Sequence, residues 1–142
     1  MPGRPGPTAP EVRDITTGTA RITSELPAWA AGMYAAMDAG DIGGVLAHMT
    51  EDVRMRFGNA EPVAGRDAVR AASLQFFGSI GGLSHDFREV WESEDSALLV
   101  CDVHYTRRDG SVVCLPGVTF IHRRPDGIDD IQVFMDMTPV MA

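Results

Sequence analysis

Residues 97–123 read ALLVCDVHYTRRDGSVVCLPGVTFIHR, and the fold follows from this segment more than from any other. Two runs rich in Val, Leu, Ile and Tyr flank the turn dipeptide Asp109-Gly110, a pattern typical of a β-hairpin. Similar runs lie at 83–91 and 128–137, with Asp, Gly or Pro between them. Because short connections make neighbouring strands antiparallel, the sequence predicts an antiparallel sheet after residue 82.

The residues before this sheet have helical spacing. Ala30, Met33 and Met37 recur every three or four residues, which predicts a helix that begins near Ser24 and ends at Gly40. Asp41 is a suitable N-cap for a short second helix, and a strand is predicted over 53–57. A third helix is predicted from about Arg66 to Gly78. The fold class is therefore α+β, with three N-terminal helices packed against a curved antiparallel sheet.

Length and composition limit the function. The 142 residues suit one domain, over 24–142, after a flexible leader over 1–23 that is rich in proline. The net charge of −8 argues against nucleic acid and anionic membranes as partners. No apolar run is long enough for a membrane span, and the start lacks a secretory signal, so we expect a cytoplasmic protein. The absence of lysine excludes Schiff-base chemistry on that side chain.

The order helix, helix, strand, helix and long strands resembles the NTF2-like cone fold. Within it, the chain resembles the polyketide-cyclase-like (SnoaL-like), ketosteroid-isomerase-like and limonene-epoxide-hydrolase-like enzymes. The segments that carry the resemblance are MDAGD (37–41), MTEDV (49–53), GRDAV (65–69) and FMD (134–136), and it covers about 25–140. The resemblance implies an apolar pocket between sheet and helices, in which polar side chains act on a small molecule.

The strand over 97–107 carries the principal catalytic candidates. Alternation places Asp102 and His104 on one face, with apolar residues on both sides of them. Burial would raise the pKa of Asp102 and suit it to general acid or base catalysis, and His104 would orient it or relay its proton. The sequence leaves open whether Asp102 acts as base or acid.

Four further residues are candidates for catalysis or substrate binding: Asp136, Tyr34, Arg56 and Thr119. Tyr34 on the first helix can donate its hydroxyl into the pocket, and Arg56 can polarise a carbonyl. Thr119 stands where the resemblance to polyketide-cyclase-like enzymes implies an aspartate. The expected pocket walls are apolar or aromatic: Trp29, Met33, Met37, Met55, Phe57, Phe76, Phe77, Phe87, Trp91 and Phe134.

A two-residue turn at Asp109-Gly110 would pair Asp102 with Gly117, leaving open space beside the carboxylate. A bulge at Pro116-Gly117 is the alternative. In this register a disulfide between Cys101 and Cys114 is not expected.

The leading hypothesis is a cytoplasmic bacterial enzyme of natural-product biosynthesis. It would use no cofactor and no metal, and would apply acid/base catalysis to an apolar polyketide- or terpenoid-like substrate, by aldol closure, epoxide opening or isomerisation. The alternatives are a non-catalytic small-molecule-binding or dimeric assembly module of the same fold, and an epoxide hydrolase. The resemblance also implies a homodimer through the outer face of the sheet, with which Leu99, Cys101 and Val103 are compatible.

Overall fold

A computed structural model of the protein describes residues 21–141. The fold is α+β, as predicted, and its helices and strands follow the expected order. They are β1 (Arg21–Thr23), α1 (Ala28–Asp38), α2 (Ile42–Leu46), β2 (Met49–Phe57), β3 (Val63–Ala64), α3 (Arg66–Ser79), β4 (Gly82–Glu92), β5 (Ser96–Thr106), β6 (Val112–Arg124), β7 (Gly127–Phe134) and α4 (Thr138–Met141). No helix in this part of the chain has the length and hydropathy that a bilayer crossing requires.

Within residues 21–141, seven strands form one curved sheet in the order β1-β4-β5-β6-β7-β2-β3. The run β4-β5-β6-β7 is antiparallel, as the short connections predict. One parallel pair adds to this predicted antiparallel arrangement, because β2 lies beside β7 and runs in the same direction. No hairpin joins β2 to β7, so the turn rule that fixes the other pairs does not apply to them.

Several boundaries differ from the predicted ones. Helix α1 begins after Pro27, whose fixed φ of −60° suits a helix start, and not at Ser24. Asp41 caps α2 as predicted, since its carboxylate accepts the Gly44 N–H at 3.0 Å. Residues 21–23, at the end of the predicted leader, form β1 and pair with β4. The rest of that leader, residues 1–20, lies outside the described residues.

The hairpin between β5 and β6 is one residue out of the predicted register. The loop has three residues, because the Arg107 N–H donates to the Ser111 carbonyl, and Gly110 adopts a φ of +88°. Asp102 therefore pairs with Pro116, and Gly117 pairs with Cys101, with no bulge between them. Cys101 and Cys114 are both free thiols, in agreement with the expectation of no disulfide.

Helices α1 to α3 cover the inner face of the sheet. The buried residues of β5 are the odd-numbered ones, including Leu99, Cys101 and Val103. Met33 of α1 and Val53 of β2 are fully buried in the same core as Leu99. These three β5 side chains thus belong to the core, and their expected use in an outer dimer interface is wrong.

Candidate functional site

A partly enclosed cavity of about 240 Å³ lies between the helices and the inner face of the sheet. Most of its lining is apolar, and none of the described residues that line it is an arginine or a carboxylate. The polar side chains of the lining are Tyr34, Ser73, His85, Tyr105 and Thr119. A largely apolar pocket with a few convergent polar groups is typical of a small-molecule site.

His85 and Asp38 form a hydrogen-bonded pair at this cavity. Nδ1 of His85 lies 2.6 Å from Oδ1 of Asp38, and the backbone N–H of His85 donates to Oδ2 at 3.2 Å. Because an ionised carboxylate only accepts, Nδ1 carries the proton in the neutral imidazole and Nε2 keeps a free lone pair. The His85 side chain is 9% exposed, whereas that of Asp38 is 34% exposed.

Aromatic contacts fix the orientation of the His85 ring. Phe87 stacks on it nearly parallel at a centroid distance of 5.6 Å, and Tyr34 meets it edge-on at 5.0 Å. Asp38 is the last residue of α1, where the partial negative charge of the helix end disfavours a carboxylate. The contact with His85 offsets that unfavourable position. The pair is therefore held by packing on one side and by two hydrogen bonds on the other.

Tyr34 places a hydroxyl at the same cavity. Burial raises its pKa well above the usual value of 10, so the hydroxyl keeps its proton at neutral pH. Thr119 lines the same cavity and opposes a small part of this pKa shift, and both residues are buried. Tyr34 and Thr119, two of the residues selected from the sequence, therefore lie together beside His85. A protonated phenol in this position can donate a hydrogen bond to a substrate oxygen.

Asp102 and His104 do not share this cavity. They lie on the outer face of the sheet, where Arg88 Nε approaches Asp102 Oδ2 at 3.1 Å and His104 Nε2 lies 2.9 Å from Asp86 Oδ2. Their side chains are 31% and 38% exposed. The expectation that Asp102 is buried inside the cone is therefore wrong. Both faces of β5 are apolar in sequence, so alternation alone could not identify the inner one.

Arg56 and Asp136 also lie outside the cavity. Arg56 is exposed and lines an outer groove with Phe134 and Met135. Asp136 is exposed, and its carboxylate accepts the Thr138 N–H at 3.0 Å, which lowers its pKa. Asp136 therefore caps α4. It lies on the outer surface, and not inside the pocket as expected.

Half of the expected pocket walls line the cavity: Met37, Met55, Phe57, Phe76 and Phe77. Met33 is fully buried in the core, and Phe87 packs behind Tyr34 and His85. Trp29 packs against the core under the guanidinium of Arg123. Trp91 and Phe134 are 37% and 60% exposed on the outer surface, so their assignment to the pocket is wrong.

Sequence reasoning missed the His85–Asp38 pair. The signal that could have identified His85 is its place between Leu83 and Phe87, since all three alternate onto the inner face of β4. Asp38 was visible only as part of the motif that ends α1. Their proximity depends on the packing of α1 against β4, 47 residues apart in sequence.

The thiol of Cys101 is on the inner face, yet it is not a nucleophile candidate. Burial, with Asp102 adjacent, raises its pKa to about 11, so the thiol stays neutral at physiological pH.

The curved sheet and the helices that cover it enclose a largely apolar cavity with a few polar side chains. A family comparison agrees: residues 30–130 match the SnoaL-like domain. The chain therefore belongs to the SnoaL-like domain family, and the NTF2-like fold expected from the sequence is confirmed. A comparison with curated protein sequences finds no match.

Solved structures resemble this chain at low sequence identity. TerC co-crystallised with polyporic acid is 19% identical, with a TM-score of 0.70 over 80% of this chain and 92% of that one. A candidate SnoaL-like polyketide cyclase from Jannaschia sp. CCS1 is 17% identical, with a TM-score of 0.66 over 80% and 88%. AclR, a candidate hydroxylase from Streptomyces galilaeus, is 16% identical, with a TM-score of 0.68 over 80% and 90%. At these identities the similarity establishes the fold.

Proposed function

We propose that the protein is a cofactor-independent enzyme of natural-product biosynthesis that moves a proton on a largely apolar substrate held in the cone. The reaction class is cyclisation by intramolecular aldol closure, or isomerisation. The observation that carries the proposal is the His85–Asp38 pair at an apolar cavity, with Nδ1 engaged by the carboxylate and Nε2 left to accept a proton.

The residues support a simple proton transfer. Nε2 of His85 removes a proton from a carbon next to a substrate carbonyl, and the electron pair moves to the carbonyl oxygen. Asp38 stabilises the imidazolium that forms, and the Tyr34 hydroxyl donates a hydrogen bond to the enolate oxygen. The enolate carbon then attacks a second carbonyl and closes a ring, with His85 returning the proton to the new alkoxide. Alternatively, His85 returns the proton to a different carbon and forms an isomer.

The cavity volume limits the part of the substrate that is enclosed. An engineered cavity of about 150 Å³ in another protein holds benzene, so about 240 Å³ suits one or two rings. The absence of arginine from the described lining favours a neutral group over a carboxylate or phosphate. The substrate class is therefore a neutral ketone with a compact apolar head. Epoxide opening is not part of the proposal, because the described lining of the cavity holds no carboxyl group that could protonate the epoxide oxygen.

The family supports the biosynthetic setting. The chain belongs to the SnoaL-like family, and similar solved structures include candidate polyketide cyclases. Ring closure of a polyketide by aldol chemistry requires the kind of proton transfer that we assign to His85, Asp38 and Tyr34. The non-catalytic binding module remains the competing hypothesis, since the same cavity would serve it.

Proton exchange tests the chemistry without knowledge of the natural substrate. A panel of one- and two-ring enolisable ketones, such as 2-tetralone, is incubated with the protein in D2O, and loss of the α-proton signal is followed by NMR. We expect the wild-type protein to accelerate exchange for at least one ketone, and His85→Ala to abolish the acceleration while the fold is retained. Ketone binding without accelerated exchange would overturn the proposal and favour a non-catalytic binding module.

A further inference from the structure

Met135 separates the cavity from the protein surface. It lines the cavity, and it also lines a groove on the outside that we name the C-terminal groove. The members of this groove are Phe57, Gly58, Asn59, Met135, Asp136, Met137, Thr138 and Met141. Phe57 lines both spaces too, but its ring is held against Phe76 at a centroid distance of 5.5 Å. The unbranched Met135 side chain is thus the adaptable part of this wall.

Two neighbours hold the Met135 side chain in place. The Tyr105 hydroxyl donates to its sulfur at 3.2 Å. Burial raises the pKa of Tyr105, so this donor keeps its proton at neutral pH. The methyl end of Met135 lies over Gly117, where an added Cβ would be only 2.5 Å from Cε. Gly117 is buried on the inner face of β6, so its missing side chain provides the space that the methionine fills.

We infer that Met135, seated against Gly117 and Tyr105, is the end wall of the cavity and sets the length of ligand that the protein accepts. This inference rests on the proposed function, because it assigns the specificity of the same cavity. Truncation of Met135 would join the cavity to the C-terminal groove, and a ligand too long for the wild-type cavity would then extend into the groove. Met135 is a specificity-determining residue, and it takes no part in the proton transfer.

A chain-length series measures the position of this wall. The probes are 4-alkylphenols from ethyl to octyl, and their affinities are measured by isothermal titration calorimetry. Each methylene that enters an apolar site raises affinity roughly fourfold, so the affinity rises with chain length until the chain meets the wall. In Met135→Ala three heavy atoms are removed. In the wild type the affinity reaches a plateau at the chain length that meets the wall. In Met135→Ala we expect this plateau at a chain about three carbons longer, and we expect the longest phenols to bind at least tenfold more tightly than they bind to the wild type.

Two other methionines provide matched controls. Met37 lines the cavity and not the C-terminal groove, whereas Met141 lines the groove and not the cavity. We expect Met37→Ala and Met141→Ala to leave the plateau at the wild-type chain length. A plateau that stays in place in Met135→Ala, or moves equally in Met37→Ala, would overturn the inference.

The contact between the Met135 side chain and Gly117 can be tested without a ligand. Gly117 does not adopt a left-handed conformation, so alanine there is limited only by its contacts, of which the closest is with Met135. Because the atom nearest the added Cβ is the free end of a flexible side chain, we expect Gly117→Ala to lower the melting temperature of the wild-type protein only slightly, and to leave that of Met135→Ala unchanged. Equal losses in both backgrounds would show that Met135 does not occupy this space.

The two proposals fail in different ways. If the plateau moves as expected but His85→Ala exchanges protons like the wild type, the chemistry is wrong and the end wall stands. If exchange depends on His85 and the plateau does not move, only the end wall is wrong. If the wild type binds none of the phenols, the apolar site is wrong and both proposals fall.

Discussion

Replacement of Asp38 by asparagine tests which group is the catalytic base. The sequence suggested Asp102, whereas the structure points to His85 supported by Asp38. In the wild-type protein the Asp38 carboxylate accepts two hydrogen bonds from His85, one from Nδ1 at 2.6 Å and one from the backbone N–H at 3.2 Å. Asparagine keeps the shape but has only one acceptor oxygen, so its NH2 group faces one of these donors. The ring then loses the Nδ1 bond or takes the other tautomer, with the proton on Nε2. In either case the proton acceptor at the cavity is weakened.

The expected loss of activity follows from the exposure of the pair. A positioned general base contributes about 10² to 10⁴ in rate, and a wrong histidine tautomer can cost the upper end of that range. Because 34% of the Asp38 side chain is exposed, water replaces part of the lost interaction, and we expect a loss of about 10². The loss of one hydrogen bond reduces stability by about 1 kcal/mol, or about 4 °C in melting temperature.

The assay combines α-proton exchange of a ketone with ¹⁵N NMR of the histidine ring. The matched controls are Asp86→Asn, which alters a similar pair with His104 on the outer face, and Asp102→Asn. We expect both controls to exchange protons at the wild-type rate and to leave the His85 ring signals unchanged. Wild-type exchange in Asp38→Asn, or a loss confined to Asp102→Asn, would refute the reasoning and restore the sequence-based assignment.

Three further predictions follow from the structure. Tyr34→Phe keeps the ring that packs on His85 and removes the hydroxyl. We expect kcat to fall about 10- to 100-fold, with little change in melting temperature. An unchanged kcat would show that Tyr34 takes no part in the mechanism. Asp129, 2.5 Å from the His122 ring, is the main cause that raises the His122 pKa above 6.5, with Asp95 adding to it. Because the folded state raises this pKa, protonation of His122 stabilises the fold. The stabilisation is fully present below pH 6.5 and is lost as the pH rises through the folded pKa of His122. The urea midpoint of the wild type should therefore fall as the pH rises from 6.5 through that pKa, and that of Asp129→Asn should fall less. Leu98 is 42% exposed on the outer face, and if the predicted homodimer uses this face, Leu98→Arg should halve the mass measured by light scattering.

The sequence alone determined the kinds of elements and most of their order. Turn chemistry at Asp109-Gly110 and Asp41 acts over a few residues, so the hairpin and the cap of α2 could be predicted without a structure. The family resemblance of the segments around α1, α3 and β2 led to the cone fold, which the family match confirms. Tyr34 was selected because a tyrosine of the first helix can direct its hydroxyl into the pocket, and Thr119 because the resemblance implies an aspartate at its position. Both residues line the cavity.

Only the tertiary structure decided which face of β5 lies inward and which groups meet at the cavity. A three-residue loop in place of a two-residue turn shifts the hairpin register by one, and a shift of one residue exchanges the two faces of a strand. Asp102, flanked by apolar residues on both faces, therefore could not be placed from alternation. The pairing of His85 with Asp38 depends on a helix packing against a strand far away in sequence, and local patterns carry no information about such a contact.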